Sequence, residues 1–226
     1  MEIQILLALA AVSLSSVMVF RLESGPGITA DEALKRLLDG NRNFMANRLT
    51  VEEFSGLAAR RVVASGQKPY AIILACSDSR VPPEIIFDKG LGEIFVVRVA
   101  GNIVDPIVLG SIEYAAQNFG SPLILVLGHS RCGAVTASVQ AKGRPEGNIG
   151  AIVEKITPAV IKAREEAMGV EGADLVELAI NHNIELVAKS LVDQSPVIRS
   201  LAGEGKLKIV GAKYDLDHGS VAILSE

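Results

Sequence analysis

The sequence has no tryptophan and only 4% aromatic residues, which excludes a ligand site built on stacked rings. Two cysteines in 226 residues exclude a disulfide-rich scaffold and allow at most one bridge. A basic excess is also missing. Twenty-two Lys and Arg stand against 26 Asp and Glu, for a net charge of −4 and an isoelectric point near 5.5. Nothing there grips a phosphate backbone, so nucleic acid is not an expected partner. No Gly-x-Gly-x-x-Gly follows a predicted strand, which leaves a dinucleotide site unsupported. What the chain does have is 49% hydrophobic residues, 21% charged ones and a mean hydropathy of +0.36. A globular chain of this length buries about 70% of its unfolded surface and needs no staples.

The most apolar stretch lies at the start. From Ile3 to Phe20 there is no charge, only Gln4 and three serines among aliphatic residues. Such a run is marginal for a spanning helix and long for the apolar part of an export signal. Glu2 stands where a signal carries Lys or Arg, and the triplet Ala8-Leu9-Ala10 lies inside the run. Basic residues follow it instead, at Arg21, Lys35 and Arg36, which for an anchor would keep the globular part cytoplasmic. Three readings stand: an export signal, a membrane anchor, or a helix packed on the domain or on a partner subunit. An exported, periplasmic or anchored protein is expected over a free cytoplasmic one, with any membrane contact made through residues 3–20. Residues 1–28 are therefore set apart from a single domain spanning residues 29–226.

Within that domain helices and strands alternate. Thr29 to Asn47 is a helix opened by the capping pair Thr29 and Glu32, with an apolar stripe of Leu34, Leu37, Leu38, Phe44 and Met45. A second helix ends near Ser65-Gly66. Tyr70–Ala75, Ile94–Val97, Leu123–Leu127 and Leu207–Ala212 are short apolar runs, the pattern of parallel strands buried on both faces. Asp105-Pro106 starts a helix that stops at Gly120, and another begins near Cys132. Asn148 to Met168 is expected to be kinked or broken by Pro158, and Asp174 to Val192 to open on a cap pair of Asp174 and Glu177. The Asp217-His218-Gly219 turn leads to a hairpin partner at Val221–Leu224. The fold class is α/β: a central, mostly parallel sheet of four strands plus a C-terminal antiparallel edge strand, with helices on both faces.

In open sheets of this kind ligands bind beyond the carboxyl ends of the strands. The first strand ends in Cys76-Ser77-Asp78-Ser79-Arg80 and the third in Gly128-His129-Ser130-Arg131-Cys132-Gly133. Both cysteines and one of the three histidines thus fall at one end of the sheet. His129 and Cys132 are one helical turn apart, and two thiolates with one imidazole make a zinc site of the catalytic, three-ligand kind. Two buried inert thiols, or a disulfide between them in an exported chain, are the plainer readings. Asp78 and Arg80 form either a structural ion pair or a dyad that orients a metal-bound water. Ser130 lacks the closing glycine of a nucleophile elbow. His182 reads as a helix-face histidine and His218 as a turn residue, neither as a proton shuttle.

The two motifs together resemble the β-class carbonic anhydrases. The likeness runs from Ile28 to Leu224 and includes Phe95-Val96-Val97-Arg98, Ala100-Gly101-Asn102, Ile112-Glu113-Tyr114-Ala115 and Gly211-Ala212-Lys213-Tyr214-Asp215. The resemblance implies one zinc ion per chain on Cys76, His129 and Cys132, with Asp78 and Arg80 as the dyad beside it. It implies reversible hydration of carbon dioxide to bicarbonate by a zinc-bound hydroxide. Gln67, Phe95 and Tyr114 match substrate-binding positions of the plant-type branch, supplied largely by a neighbouring subunit, and the Gly133 N–H is implied to help bind bicarbonate. A homodimer or higher even oligomer follows. Another branch closes its site with bicarbonate held by Trp, Arg and Tyr; Arg98 and Tyr214 have counterparts here, but the tryptophan is absent, which implies an open, non-allosteric site. Ala100 stands where the plant branch has valine. The rival functions are a same-fold zinc hydrolase of carbon disulfide or carbonyl sulfide, and a metal-free binding protein with Cys76 and Cys132 bridged.

Overall fold

The computed structural model describes residues 27–51, 55–167 and 173–226. The hydrophobic run at residues 3–20, with its three readings, lies outside these residues. Strands β1 (Ala71–Ala75), β2 (Ile94–Arg98), β3 (Leu123–His129), β4 (Lys208–Tyr214) and β5 (Val221–Ser225) form one sheet in the order β2-β1-β3-β4-β5. The first four run parallel, and β5 pairs antiparallel with β4 at the edge. The expected architecture is therefore the observed one. Every residue of β1 and β3 is buried, because both faces of the central strands are covered.

The alternation of side chains along the strands divides the core in two. Ile72, Leu74, Ile124 and Val126 point into one layer, together with helices α4 (Pro106–Phe119), α5 (Gly133–Gln140), α6 (Ile149–Ala167), α7 (Ala173–Gln194) and α8 (Pro196–Gly203). Ala71, Ile73, Leu125 and Leu127 point into the other, against α1 (Ala30–Met45) and the short α3 (Pro83–Ile86). A further helix, α2 (Leu57–Val63), contributes no buried residue.

The local signals act as their chemistry requires. Thr29 Oγ1 accepts from the Glu32 N–H at 3.2 Å, while the Glu32 carboxylate turns along the helix to Arg36 instead of completing the box. Asp105 accepts from the N–H groups of Ile107 and Val108, Pro106 follows it, and Gly120 ends α4 in the left-handed region at φ 60°. Two expectations fail. Pro158 does not break α6, which runs without interruption from Ile149 to Ala167. The ring sits on the exposed side, and the carbonyl it leaves without an intrahelical donor belongs to Glu154, an exposed residue on that same side. Glu177 does not cap α7, because its carboxylate is engaged across the fold at the end of β3, as described below.

Helix α1 is seated by close backbone approach. Asn41, 2% exposed, donates from Nδ2 to the carbonyls of Ile86 and Gly219 and accepts at Oδ1 from the Val221 N–H. The preceding residue, Gly40, presses directly on Phe87: a Cβ there would lie 1.7 Å from the Phe87 carbonyl oxygen. Gly40→Ala should therefore destabilise the chain by about 3 kcal/mol or more, despite alanine's better helix propensity. Gly203→Ala, at the end of α8 with nothing within 4 Å, should be neutral or gain at most about 1 kcal/mol. Urea unfolding midpoints of the two variants check the contrast.

Candidate metal centre

Strands β1 and β3 are neighbours, so the residues that follow them emerge side by side. Cys76 follows β1 directly, and His129 is the last residue of β3. Between His129 and Cys132 the chain must turn sharply to enter α5. It does so at Arg131, a non-glycine residue in the left-handed region at φ 53°, which costs roughly 1–2 kcal/mol. Two carboxylates hold it there. The Arg131 N–H donates to Glu177 Oε1 at 2.9 Å, and its guanidinium forks onto both oxygens of Asp217 at 2.7 and 2.8 Å. Glu177 Oε2 also receives Lys213 Nζ at 3.3 Å.

The turn brings three donors together. Cys76 Sγ, Cys132 Sγ and one ring nitrogen of His129 lie within 4.8 Å of one another, and all three residues are buried. The sulfurs are 4.0 Å apart and both thiols are free, so the bridged form is not the one the fold builds. Two sulfurs at about 2.3 Å from a tetrahedral zinc would stand at close to that separation. His129 Nδ1 lies 3.0 Å from the Ser130 carbonyl, which can only accept, so Nδ1 carries the ring proton and Nε2 keeps its lone pair. That Nε2 is buried with no hydrogen-bond partner. A fully buried ring nitrogen facing two thiols has the geometry of a ligand, and two sulfurs with one imidazole form a soft donor set that suits zinc or copper(I) over magnesium or calcium.

The electrostatics of the thiols fit a cation. A hydrogen bond from the Cys132 thiol, with those from the N–H groups of Asp78 and Gly101, outweighs burial and pulls the Cys76 thiol well below its ordinary value. Cys132 is pushed the opposite way, by that same bond, by burial and by the charge on Cys76. Alone, the pair carries one negative charge readily and resists a second. A dication between the sulfurs reverses that balance.

Beside this cluster the Asp78 carboxylate is closed onto Arg80. Arg80 Nε and Nη2 donate to Oδ1 and Oδ2 at 2.9 and 2.8 Å, and the Arg80 N–H donates to Oδ1 at 3.0 Å. Arg80 holds the Asp78 carboxyl far below the usual carboxylate range, against the opposing effect of partial burial. Asp78 Oδ2 also lies 3.8 Å from His129 Nε2, at the rim of the three-donor cluster. Arg98, at the end of β2, donates from Nε to the Cys76 carbonyl at 3.1 Å and from Nη2 to the Asp78 carbonyl at 2.6 Å. It fixes the chain that carries both residues. Tyr214 is buried on the other face of the sheet against Phe44. Gly133 is exposed as the first residue of α5.

A family model described as carbonic anhydrase matches residues 71–221. Carbonic anhydrase 2 of Mycobacterium tuberculosis is 42% identical over 206 residues, which cover 88% of this chain and 94% of that protein. The chain belongs to the β-carbonic anhydrases. Among solved structures, a Coccomyxa β-carbonic anhydrase in complex with acetazolamide matches with a TM-score of 0.70 at 26% identity, over 84% of this chain and 86% of that one. A tetrameric β-carbonic anhydrase from Sordaria macrospora matches with a TM-score of 0.68 at 25% identity, over 85% and 97%. This enzyme's reaction is the hydration of carbon dioxide to bicarbonate, and its three-donor cluster is a candidate metal site. With the thiols unbridged and the family established, neither the bridged binding protein nor a hydrolase of sulfur analogues is favoured.

Gln67, Phe95 and Tyr114 are not gathered around that cluster within one chain. Gln67 precedes β1 and Phe95 is the second residue of β2, so both lie toward the amino end of a parallel sheet whose metal site is at the carboxyl end. Gln67 and Tyr114 instead line one surface depression with Gly92 and Phe119, and the rings of Phe95, Tyr114 and Phe119 pack at 5.6–6.4 Å between centroids. The sequence reading missed the supporting residues Glu177, Asp217 and the Ser130 carbonyl. For Arg98 a signal was present: a lone charge closing an apolar strand.

Arg80→Ala should let the Asp78 carboxyl titrate closer to the ordinary aspartate range, above its value in the parent protein. Because a depressed carboxyl stabilises the fold above its unfolded value and ceases to as pH falls through the folded one, the variant should lose that contribution at higher pH. A carbon-13 titration of the side-chain carboxyl carbons checks the direction.

Proposed function

We propose that the chain hydrates carbon dioxide on one zinc ion held by Cys76, His129 and Cys132. The observation that carries this reading is the buried, unpartnered Nε2 of His129 set against two free thiols. Zinc bound there supplies a Lewis acid that lowers the pKa of a water ligand. The chain's own residues do the rest. Asp78, kept ionised by Arg80, accepts a hydrogen bond from the attacking water at Oδ2 and so aims its lone pair at carbon. It does not act as a proton donor near neutral pH, because Arg80 keeps it deprotonated. Arg80 also holds both carboxylate oxygens, which keeps Asp78 in its orienting role and off the metal. Arg98 fixes the backbone from which Asp78 reaches the site. The N–H of Gly133 is offered to a developing bicarbonate oxygen. Carbon dioxide itself is small, neutral and apolar, and asks only for a dry slot.

We further propose that Gln67, Phe95 and Tyr114 complete the substrate pocket of a second copy of the chain, in a homodimer or a higher even oligomer. Their distance from the metal site of their own chain supports this, as does the apolar surface around them. Val62, Leu91 and Tyr114, which line the depressions that Gln67 lines, are 78, 42 and 50% exposed.

Elemental analysis of the purified protein should give one zinc per chain, and Cys132→Ser should lose most of the metal together with the activity. Full zinc occupancy in that variant would contradict the ligand set. Gln67→Ala should retain zinc and the dimer yet lose about tenfold or more in kcat/KM for carbon dioxide hydration. Sedimentation run beside the assay tests the assembly, since a folded monomer with full activity would refute the shared pocket.

A further inference from the structure

Behind the metal site the chain makes an unusual turn. After β2 it enters a 3-10 turn, Ala100–Asn102, in which two successive residues, Gly101 and Asn102, have φ of 71° and 42°. The turn is tightly enclosed: a Cβ on Gly101 would lie 2.7 Å from Ile156 Cδ1. Its position matters to the ligands, because the Gly101 N–H donates to Cys76 Sγ at 3.3 Å. The other end of the same residue is also held. Asn183, on α7 and 2% exposed, donates from Nδ2 to the Gly101 carbonyl at 2.9 Å.

Asn183 is out of character with its surroundings. The buried face of α7 is otherwise made of Leu175, Ala179, Ile180, Ile184, Val187 and Leu191. A buried amide among such residues is costly unless its hydrogen bonds are made. Here the bond goes to a residue whose N–H reaches Cys76 Sγ.

We infer that Asn183 is a positioning residue of the metal centre. It acts on Cys76 through the backbone of Gly101, an inference that rests on Cys76 being a metal ligand. Anchoring the Gly101 carbonyl fixes the direction of its N–H, and that N–H fixes Cys76 Sγ and draws electron density from it. Partners of this kind, one bond removed from the metal, commonly change its retention by 10- to 100-fold.

The test uses the full chain loaded with zinc. Asn183→Ala should release zinc to excess chelator about tenfold faster. In the cobalt-loaded protein the sulfur-to-cobalt charge-transfer band should move to longer wavelength, because a sulfur that has lost a hydrogen bond is more readily ionised. Ile180→Ala, a core truncation on the same helix, serves as the control compared at equal loss of thermal stability, and should leave rate and band nearly unchanged. Equal acceleration in both variants, or no change in Asn183→Ala, would overturn the inference. Should Asn183→Ala fail to fold, Asn183→Asp keeps the shape, replaces the donor with an acceptor and takes the same two measurements. In cadmium-113-loaded parent protein the Gly101 amide proton should also couple to the metal through sulfur, and the absence of that coupling would refute the first link. A parent protein that takes up no zinc would instead overturn the metal reading itself.

Discussion

The arrangement that organises this molecule is an electrostatic one: two thiols and an unprotonated ring nitrogen, buried within 4.8 Å of one another. They cannot satisfy each other. One proton shared between the sulfurs leaves Nε2 of His129 without a partner and the second thiol hard to ionise. A buried set of this kind costs least when the surroundings hold it rigidly and a cation completes it. Much of what surrounds the site serves the first condition. Arg98 ties the end of β1 to the end of β2, and Glu177 and Asp217 hold Arg131 in a conformation it would otherwise avoid.

The dyad beside the cluster obeys the same logic with opposite exposure. Asp78 and Arg80 are partly open to water, and a bidentate pair in that setting adds little stability. Its value lies in direction. The planar guanidinium sets the orientation of the carboxylate plane, and a carboxylate pinned at both oxygens presents one fixed acceptor surface to the cluster.

The parts of this structure readable from the sequence are those written in local chemistry. Apolar runs bounded by turns marked all five strands, and Asp105-Pro106 with Gly120 marked both ends of α4, because caps and burial patterns act over a few residues. The three clustered donors were legible for a related reason: strand ends in a parallel sheet are positions that topology fixes. Pro158 misled because a proline's effect depends on which side of the helix it faces, and that is decided by tertiary packing. Glu177 misled more instructively. Its position suits a helix cap, yet its carboxylate finds Arg131 and Lys213, partners 46 and 36 residues away in sequence. The same holds for Asn183, whose neighbours in sequence drew attention to His182 while its own amide reached Gly101.

The division of the ligands between two strands also orders events in folding. His129 and Cys132 share one turn and meet as soon as that turn forms. Cys76 joins them only when β1 has paired with β3, a contact that must close a long loop through β2 and α4. No single strand or turn holds all three donors. An ion cannot therefore template the early chain, as it does in small zinc modules whose ligands are close in sequence. Binding of an ion by all three donors would instead report that the central crossover has closed.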